Sequence, residues 1–214
     1  VAGGGGRSDQ RVLFGASGVF VGARVAGSVV GAGFDSRAML CQPCMFDFYD
    51  GGGLDVASVS FAEMDVEGNV NVHACEGRVR GPGGFPNISA RTPKICFVGT
   101  LTARGLQVEI DDGITVTNEG SLGKFVPRVR EISFNGRLAR ERGQEVRYIT
   151  ERADIALADH GLVLTEVAPG IDVEAKVLSQ MGFRPRVADD LRTMDRRLYA
   201  TGPMGLAADF GAAT

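Results

Sequence analysis

The chain has neither a strong net charge nor a long apolar run. Its 23 lysines and arginines nearly balance 26 aspartates and glutamates, for a formal net charge of −3. A polyanion-binding surface needs a marked excess of positive charge, so the composition does not point to nucleic acid. The longest apolar candidate, "GVFVGARVAGSVVGAGF", is broken by Arg24 and by glycines, and a membrane helix needs ~20 apolar residues. We therefore expect no nucleic-acid partner and no membrane segment.

The length and composition are those of a folded domain, and we expect no secretion signal. With 214 residues, 44% of them hydrophobic, the chain is long enough to bury a core. It begins at Val1 without an initiator Met, and its start shows no basic stretch followed by an apolar stretch and a cleavage site. We expect a cytoplasmic protein, and the first residue also fits a fragment of a longer chain.

The four cysteines form only part of a zinc-site pattern. Cys41 and Cys44 make a C-x-x-C, and His73 and Cys75 follow further along as H-x-C. Zinc sites use such spacings, but Pro43 stands inside the first pair and no second C-x-x-C follows. We therefore expect no metal, and reduced thiols that pack as small hydrophobic side chains.

Glycine is frequent and clustered, with 31 glycines in the chain. Three stand in a row in "FDFYDGGGLD" (46–55), as Gly51, Gly52 and Gly53. Each glycine loses more backbone entropy on folding than any other residue, and a simple turn needs only about one or two. The triplet therefore indicates a turn whose backbone passes close to another backbone or to a ligand.

A second cluster consists of Gly81, Gly83 and Gly84 in "GRVRGPGGFPNIS" (77–89). Glycines in a rigid turn present backbone N–H groups without a Cβ in the way, and such a nest holds an oxyanion or a phosphate. An ordinary tight loop is the alternative, which this stretch by itself favours. It is not a Walker A loop because no G-K-[ST] follows, and "GAGFDSRA" lacks the G-x-G-x-x-G fingerprint of dinucleotide-binding proteins.

The composition divides the chain into a glycine-rich segment (1–37), a body (38–185) and a loosely held tail (186–214). In the body, alternating apolar residues predict three hairpins. They are formed by 58–65 with 69–74, by 106–110 with 114–117, and by 153–158 with 161–168.

The run "KICFVGTL" predicts a buried central strand over 94–100, with Cys96 and Val98 in the core. Strands are also expected over 129–134 and 145–150.

Two short helices are predicted from their end residues. The first lies between the last two strands, with Asn135 as its cap and Gly143 at its end. The second begins after Asp172, which is a good N-cap residue.

Several of these segments together resemble class I coenzyme A transferases. "QPCMFDFYDGGGLDVASVSFAEMDVEGNVNV" is similar to the start of the second half of those enzymes. The likeness continues in order through "GRVRGPGGFPNIS", "PKICFVGTLTARGLQVEI", "KFVPRVREISFNG", "RERGQEVRYITERA", "LTEVAPGID" and "LSQMGFRP". It covers about residues 38–185 and is closest to the acetate/propionate type, which carries both halves on one chain. The implied fold is α/β, with an open, mostly parallel sheet, flanking helices and added hairpins (CoA-transferase-like, of the NagB/RpiA type).

The resemblance also implies an activity, the transfer of coenzyme A from an acyl-CoA to a short-chain carboxylate such as acetate. CoA is then a substrate, and no cofactor is needed. In the family a glutamate attacks the thioester, forming an acyl–glutamyl anhydride and then a glutamyl thioester. The family's glycine loop donates N–H groups to the oxyanion. The matching positions are Gly83 and Gly84, with Gly81 in the same CoA-binding loop, and Gly51–Gly53 would be close-packed backbone beside the acyl-CoA cleft.

The family's nucleophile has no counterpart here. The glutamate stands in an E-[SPQ]-G stretch, and counting back without gaps places "ASG" there, with Ala16 at the glutamate position. No glutamate occurs before Glu63, so a shifted alignment does not supply one. Residues 1–37 are either a degenerate or frameshifted portion of a half-transferase or part of a divergent subunit that works with a partner half.

Two functions therefore stay open. The chain is either the C-terminal half of a CoA-transferase, inactive alone, or a non-catalytic subunit that binds acyl-CoA or a partner. In the first case it needs the missing N-terminal half or a homologous subunit, in an oligomer.

Other polar clusters have ordinary explanations. Three acids around the glycine triplet are more typical of groups that cap backbone N–H than of a metal site: Asp47, Asp50 and Asp55. Three arginines could meet a CoA phosphate but are more typical of a solvated helix face: Arg137, Arg140 and Arg142.

Overall fold

The computed structural model describes residues 39–75, 77–79 and 81–209, together with four short strands before them. In chain order the strands are β1 Leu13–Phe14, β2 Val19–Val21, β3 Ala23–Arg24, β4 Gly33–Phe34, β5 Met39–Leu40, β6 Val56–Ser60, β7 Glu63–Asp65, β8 Val70–Asn71, β9 Ala74–Cys75, β10 Arg78–Val79, β11 Lys94–Val98, β12 Thr102–Ala103, β13 Gln107–Ile110, β14 Ile114–Asn118, β15 Leu122–Gly123, β16 Phe125–Val126, β17 Glu145–Ile149, β18 Ala153–Ala158, β19 Gly161–Val167 and β20 Arg186–Thr193. The α-helices are α1 Gln42–Asp50, α2 Phe85–Arg91, α3 Gly136–Glu141, α4 Val173–Lys176 and α5 Leu206–Asp209, and 3₁₀ turns occupy Leu178–Gln180 and Arg196–Tyr199.

Six strands form the main sheet, in the order β20-β19-β18-β17-β11-β6. Strand β11 pairs in parallel with both β6 and β17, and β19 pairs in parallel with β20. Only β18 runs antiparallel to its neighbours in this sheet. Helices α2 and α3 pack against its strands. The predicted α/β architecture, with a largely parallel sheet, flanking helices and hairpins, is confirmed.

The interior position of β11 confirms the predicted buried strand, but the prediction chose the wrong face. Ile95 and Phe97 are buried, whereas Cys96 is half-buried and Val98 is 43% exposed. Successive side chains of a strand point to opposite faces of the sheet, and the core covers the face that carries Ile95 and Phe97. An apolar run identifies a strand without telling which face the rest of the protein covers.

The core is centred on the aromatic side chain of Phe97. Its ring stacks on that of Tyr148, with centroids 5.4 Å apart, and meets Phe134 edge-on at 4.9 Å. The buried Tyr148 hydroxyl donates a hydrogen bond to the Gly68 carbonyl at 2.5 Å. The core therefore ties the main sheet to the β7–β8 turn.

Two of the predicted hairpins are confirmed, namely β13–β14 and β18–β19. The one predicted over 58–65 and 69–74 is wrong in its first half. Strands β7 and β8 do pair, but residues 58–60 belong to β6, since they run parallel to Cys96–Val98 in the main sheet.

The strand predicted over 129–134 does not form. Only Phe134 makes a bridge, to Val70. At the other end of the segment, the Val129 N–H donates to an Asp65 carboxylate oxygen at 3.2 Å instead of to a neighbouring strand. The apolar pattern here reflects the burial of Val129 and Phe134 in an irregular segment.

The predicted helix caps are confirmed. The Asn135 side chain accepts a hydrogen bond from the Leu138 N–H at 2.9 Å, and Gly143 follows α3 with a φ of 68°. The Asp172 side chain accepts one from the Ala175 N–H at 2.7 Å.

Two predictions about flanking segments are wrong. The turn expected at 46–55 begins as a helix, because α1 extends through Asp50. The tail expected to be loosely held from residue 186 begins as β20, which pairs with β19 in the main sheet. Within the described residues, no helix has the length and apolar character needed to cross a membrane.

Candidate functional site

The glycine triplet ends helix α1. The Gly51 N–H donates to the Asp47 carbonyl at 2.9 Å, and Gly52 has a φ of 82°, a left-handed conformation common after helices. Gly53 lies against the Phe48 ring, where a Cβ would come within 2.3 Å of Phe48 Cζ. A helix end and one aromatic ring therefore account for the three glycines, and their place beside an acyl-CoA cleft stays a prediction.

The second glycine cluster leads into α2. Gly81 and Gly83 have φ values of 75° and 56°, and a Cβ on either would meet no other atom within 4 Å. Backbone conformation, and not crowding, explains glycine at these two positions. Gly84 is the N-cap residue of α2.

The glycine loop lies toward the carboxyl edge of the parallel strands. The C-terminal end of helix α2 is followed directly by the amino end of β11. The N-terminus of α2 therefore lies toward the opposite, carboxyl end of that strand. In agreement, Phe85 at the start of α2 contacts Phe97 near the end of β11, with ring centroids 5.9 Å apart. Open α/β sheets bind ligands outside the carboxyl ends of their strands, so the loop stands where a substrate would be expected.

The two glycine segments lie beside each other, through contacts between α1 and the start of α2. The Phe46 ring lies against Gly84, and the Asn87 side chain donates a hydrogen bond to Asp50 at 2.9 Å. Buried Met45 and Tyr49 of α1 anchor this contact in a small core of their own. A cleft of about 440 Å³ lies elsewhere, around Arg91 and Arg142 near the C-terminal end of α2. The opening of the glycine loop into a cleft shared with 46–55 stays a prediction.

An ion network that the sequence reading missed stands beyond the end of β17. The Arg152 side chain is fully buried and donates two hydrogen bonds to Glu119, at 2.7 and 2.8 Å. It donates further bonds to Glu151 at 2.7 Å and to the Lys176 carbonyl at 2.9 Å. Glu151 in turn accepts from the Leu101 N–H at 2.9 Å. The network therefore fixes the loop that follows β11 against the loop that follows β17.

The charges in this network stabilise one another. The hydrogen bonds from Arg152 hold the pKa of Glu119 below its ordinary value. Burial disfavours the charge on Arg152, but the bonds to Glu119 and the field of Glu151 more than offset it and raise the pKa of Arg152. The signal in the sequence was "TERA", whose adjacent Glu and Arg were not singled out.

The outcome differs for each of the other residues that the sequence singles out. Ala16, the position of the family nucleophile, lies outside the described residues. Cys41 and Cys44 are exposed and Cys96 is half-buried, so the prediction of packed thiols is wrong for the C-x-x-C. His73 Nδ1 lies 2.7 Å from the Ser133 hydroxyl, which also accepts from the Val72 N–H.

The acids and arginines singled out in the sequence are described by two observations. In the part of the chain that the structure describes, no three His, Cys, Asp or Glu side chains come together in a way that could hold a metal ion. Arg137 pairs with Glu141 one turn along α3, at 2.6 Å, with both side chains largely exposed. This agrees with a solvated helix face.

Curated relatives of the chain are CoA-transferases. It is 46% identical over 201 residues to "Acetate CoA-transferase YdiF" of Escherichia coli K12, and 38% identical over 187 residues to "Caffeate CoA-transferase" of Acetobacterium woodii. These matches cover 94% and 85% of this chain but only 38% and 36% of the relatives, so the chain spans well under half of their length. No protein-family model matches the chain.

Solved structures agree with these relatives. The acyl-CoA transferase YdiF apoenzyme from Escherichia coli O157:H7 matches with a TM-score of 0.81 at 45% identity, over 89% of this chain and 36% of that one. A thioester complex of the same protein with CoA matches with a TM-score of 0.82. The decarboxylase AibA/AibB, in its C56V variant, shares the fold at a TM-score of 0.59 and 18% identity. By sequence and by fold, this chain is similar to coenzyme A transferases, and it corresponds to a part of these longer chains.

Proposed function

We propose that this chain is the C-terminal, acyl-CoA-binding half of a short-chain acyl-CoA:carboxylate CoA-transferase. The observation that carries the proposal is the 46% identity to an acetate CoA-transferase over 94% of the chain. The likeness to an acyl-CoA transferase that was solved as a thioester complex with CoA supports the same function. Because the matched part is only 38% of the relative, the proposed enzyme needs a further half, on a longer chain or in a partner subunit. An oligomer in the cytoplasm is part of this proposal.

The glycine loop is the part of the chain suited to a thioester. When a nucleophile attacks the thioester carbon, the carbonyl oxygen becomes negative, and fixed N–H donors lower the energy of that state. Gly83 and Gly84 offer backbone N–H groups at the start of α2, without a Cβ in the path of the substrate at Gly83. Their proposed role is to hold this oxyanion, with Gly81 shaping the turn.

The nucleophile is the missing part. Attack on the thioester carbon requires a carboxylate oxygen that forms the new C–O bond while the CoA thiolate leaves. Ala16 has only a methyl group, and the sequence holds no glutamate before Glu63. We therefore expect the isolated chain to be inactive, and the same observation favours the second candidate, a non-catalytic subunit that binds acyl-CoA or a partner.

Incubation of the purified chain with acetyl-CoA and propionate tests the proposal. We expect no propionyl-CoA above background and no CoA adduct on the protein by mass spectrometry. Robust turnover, or a covalent CoA adduct within residues 1–45, would contradict the missing nucleophile. The Ala16→Glu variant should regain activity only if the turn around it is intact.

Acetyl-CoA binding, measured by calorimetry on the same sample, tests whether the chain carries an acyl-CoA-binding site. Binding without turnover supports an acyl-CoA-binding half. If the folded chain shows no acetyl-CoA binding, either alone or with the missing half of a relative added, the proposed function is wrong.

A further inference from the structure

Two exposed thiols stand in contact at the start of α1. Cys41 is the N-cap residue of the helix, and Cys44 is its third residue. Their Sγ atoms lie 2.8 Å apart, and both cysteines are unbridged. The pair belongs to none of the predicted substrate contacts, and its exposure sets it apart from the half-buried Cys96.

The local backbone brings the two sulfurs together. Residues three apart within a helix keep their Cβ atoms about 5–6 Å apart, which is longer than the roughly 3.5–4.5 Å of a disulfide. Cys41, however, has the extended conformation of an N-cap residue, with φ −64° and ψ 150°. Pro43 in the first turn restricts the backbone between the two cysteines. A disulfide bond of about 2.05 Å then requires the sulfurs to approach by less than about 1 Å.

The two thiols are chemically unequal. The contact with the Cys44 thiol is the main cause that lowers the pKa of Cys41, and a hydrogen bond with the Cys44 backbone adds to it. The same contact raises the pKa of Cys44. Cys41 is therefore suited to attack as a thiolate, while Cys44 keeps its proton until the second step. By contrast, burial raises the pKa of the Cys96 thiol.

We propose that Cys41 and Cys44 form a redox-active dithiol that reacts with low-molecular-weight disulfides. The Cys41 thiolate attacks one sulfur of the disulfide, so that a mixed disulfide forms and one thiolate leaves and takes up a proton. Cys44 then loses its proton and attacks the Cys41 sulfur, which forms the Cys41–Cys44 disulfide and releases the second thiol. Two protein thiols are oxidised and one small disulfide is reduced to two thiols, so atoms and electrons balance.

A metal site explains the pair less well. Structural zinc takes about four protein ligands, and in the described part of the chain no third His, Cys, Asp or Glu side chain joins the two thiols in such a group. A C-x-x-C at a helix N-terminus, exposed and with one lowered pKa, is instead the arrangement in which thiol–disulfide exchange is fast.

Glutathione disulfide is the probe for the test, used on the full chain in its folded state. We expect the mass of the protein to fall by two hydrogen atoms, and peptide mapping to place the new disulfide between Cys41 and Cys44. Cys44→Ser should instead accumulate a stable glutathione adduct on Cys41, because the second attack is removed. Cys41→Ser should react at least about tenfold more slowly, since the lowered-pKa thiol is lost.

The matched control is Cys96→Ser, which should oxidise at the unchanged rate. Persistent glutathione adducts on the unaltered chain would overturn the proposal, because they would show that Cys44 does not resolve the mixed disulfide. Equal reactivity of Cys96 and Cys41 would overturn it too.

Discussion

The ring of Phe46 lies against the backbone of Gly84, so that a Cβ on Gly84 would stand 2.8 Å from Phe46 Cε1. This contact places α1 directly on the first turn of α2, and the hydrogen bond between Asp50 and Asn87 holds the two helices further along. The proposed oxyanion loop is therefore positioned by the helix that precedes it in the chain. At Gly83 a Cβ would contact no other atom within 4 Å. A substitution there therefore alters the loop without disturbing the packing of Phe46 against Gly84.

Gly83→Ala should weaken acetyl-CoA binding by about tenfold, because its methyl group enters the space that a thioester would occupy. The left-handed backbone also costs the variant about 1 kcal/mol of unfolding free energy. Gly143→Ala is the matched control, since Gly143 has a φ of 68° and an equally open surrounding. Calorimetric titration should show weaker binding for the first variant only, and equal losses of affinity in both would refute the assigned role.

Gly136→Ala should be among the most damaging small substitutions in the chain. A Cβ there would stand 2.3 Å from the Glu67 carbonyl oxygen and 2.7 Å from the Gly68 carbonyl carbon, both backbone atoms of the β7–β8 turn. Because that turn is tied to the core through Tyr148, it cannot move cheaply, and we expect a loss of at least about 3 kcal/mol in urea unfolding. Gly202→Ala, in open surroundings, should change stability by less than about 0.5 kcal/mol. Similar values for the two variants would contradict the close contact.

Arg152→Met should lower the free energy of unfolding by about 3–5 kcal/mol, because it leaves Glu119 and Glu151 without their cation in a partly buried place. Arg137→Met removes an exposed pair with Glu141 and should cost no more than about 0.5 kcal/mol. Chemical denaturation of both variants measures the difference. If Arg152→Met were as mild as Arg137→Met, the network would not hold the two loops together.

Stability should fall below about pH 4.5 through Glu119. Its pKa is lowered in the folded state by the hydrogen bonds from Arg152, so folding favours the ionised carboxylate. The stabilisation is complete above the ordinary pKa of 4.5 and is lost as the pH falls through the lower folded-state value. Denaturant unfolding between about pH 6 and 3 should show a shallower decline for Glu119→Gln than for the unaltered chain. Glu131 is an exposed carboxylate, and Glu131→Gln is the control. An equally shallow decline of stability in that variant would show that the effect comes from the net charge of the protein and not from the contact of Glu119 with Arg152.

Local features were determined by the sequence itself. The run at β11, the two confirmed hairpins and the caps at Asn135 and Asp172 depend on neighbouring residues, so periodicity and capping chemistry suffice to predict them. The candidate oxyanion loop was also found from its glycines, because left-handed backbone needs them within a few residues. The expected absence of the family's nucleophile at Ala16 is likewise read from the sequence, and it stays a prediction.

Tertiary structure decided what depends on distant partners. Whether Phe97 or Val98 entered the core depended on which face of β11 was covered, and the apolar run is compatible with both. Residues 186–193 read as a tail because their pattern is polar, yet backbone pairing with β19 made them a strand. Arg152 meets Glu119 across 33 positions of sequence, and no local pattern encodes such a distance. Because Arg152 is buried, its charge is removed from water and needs the opposite charge of Glu119 close by.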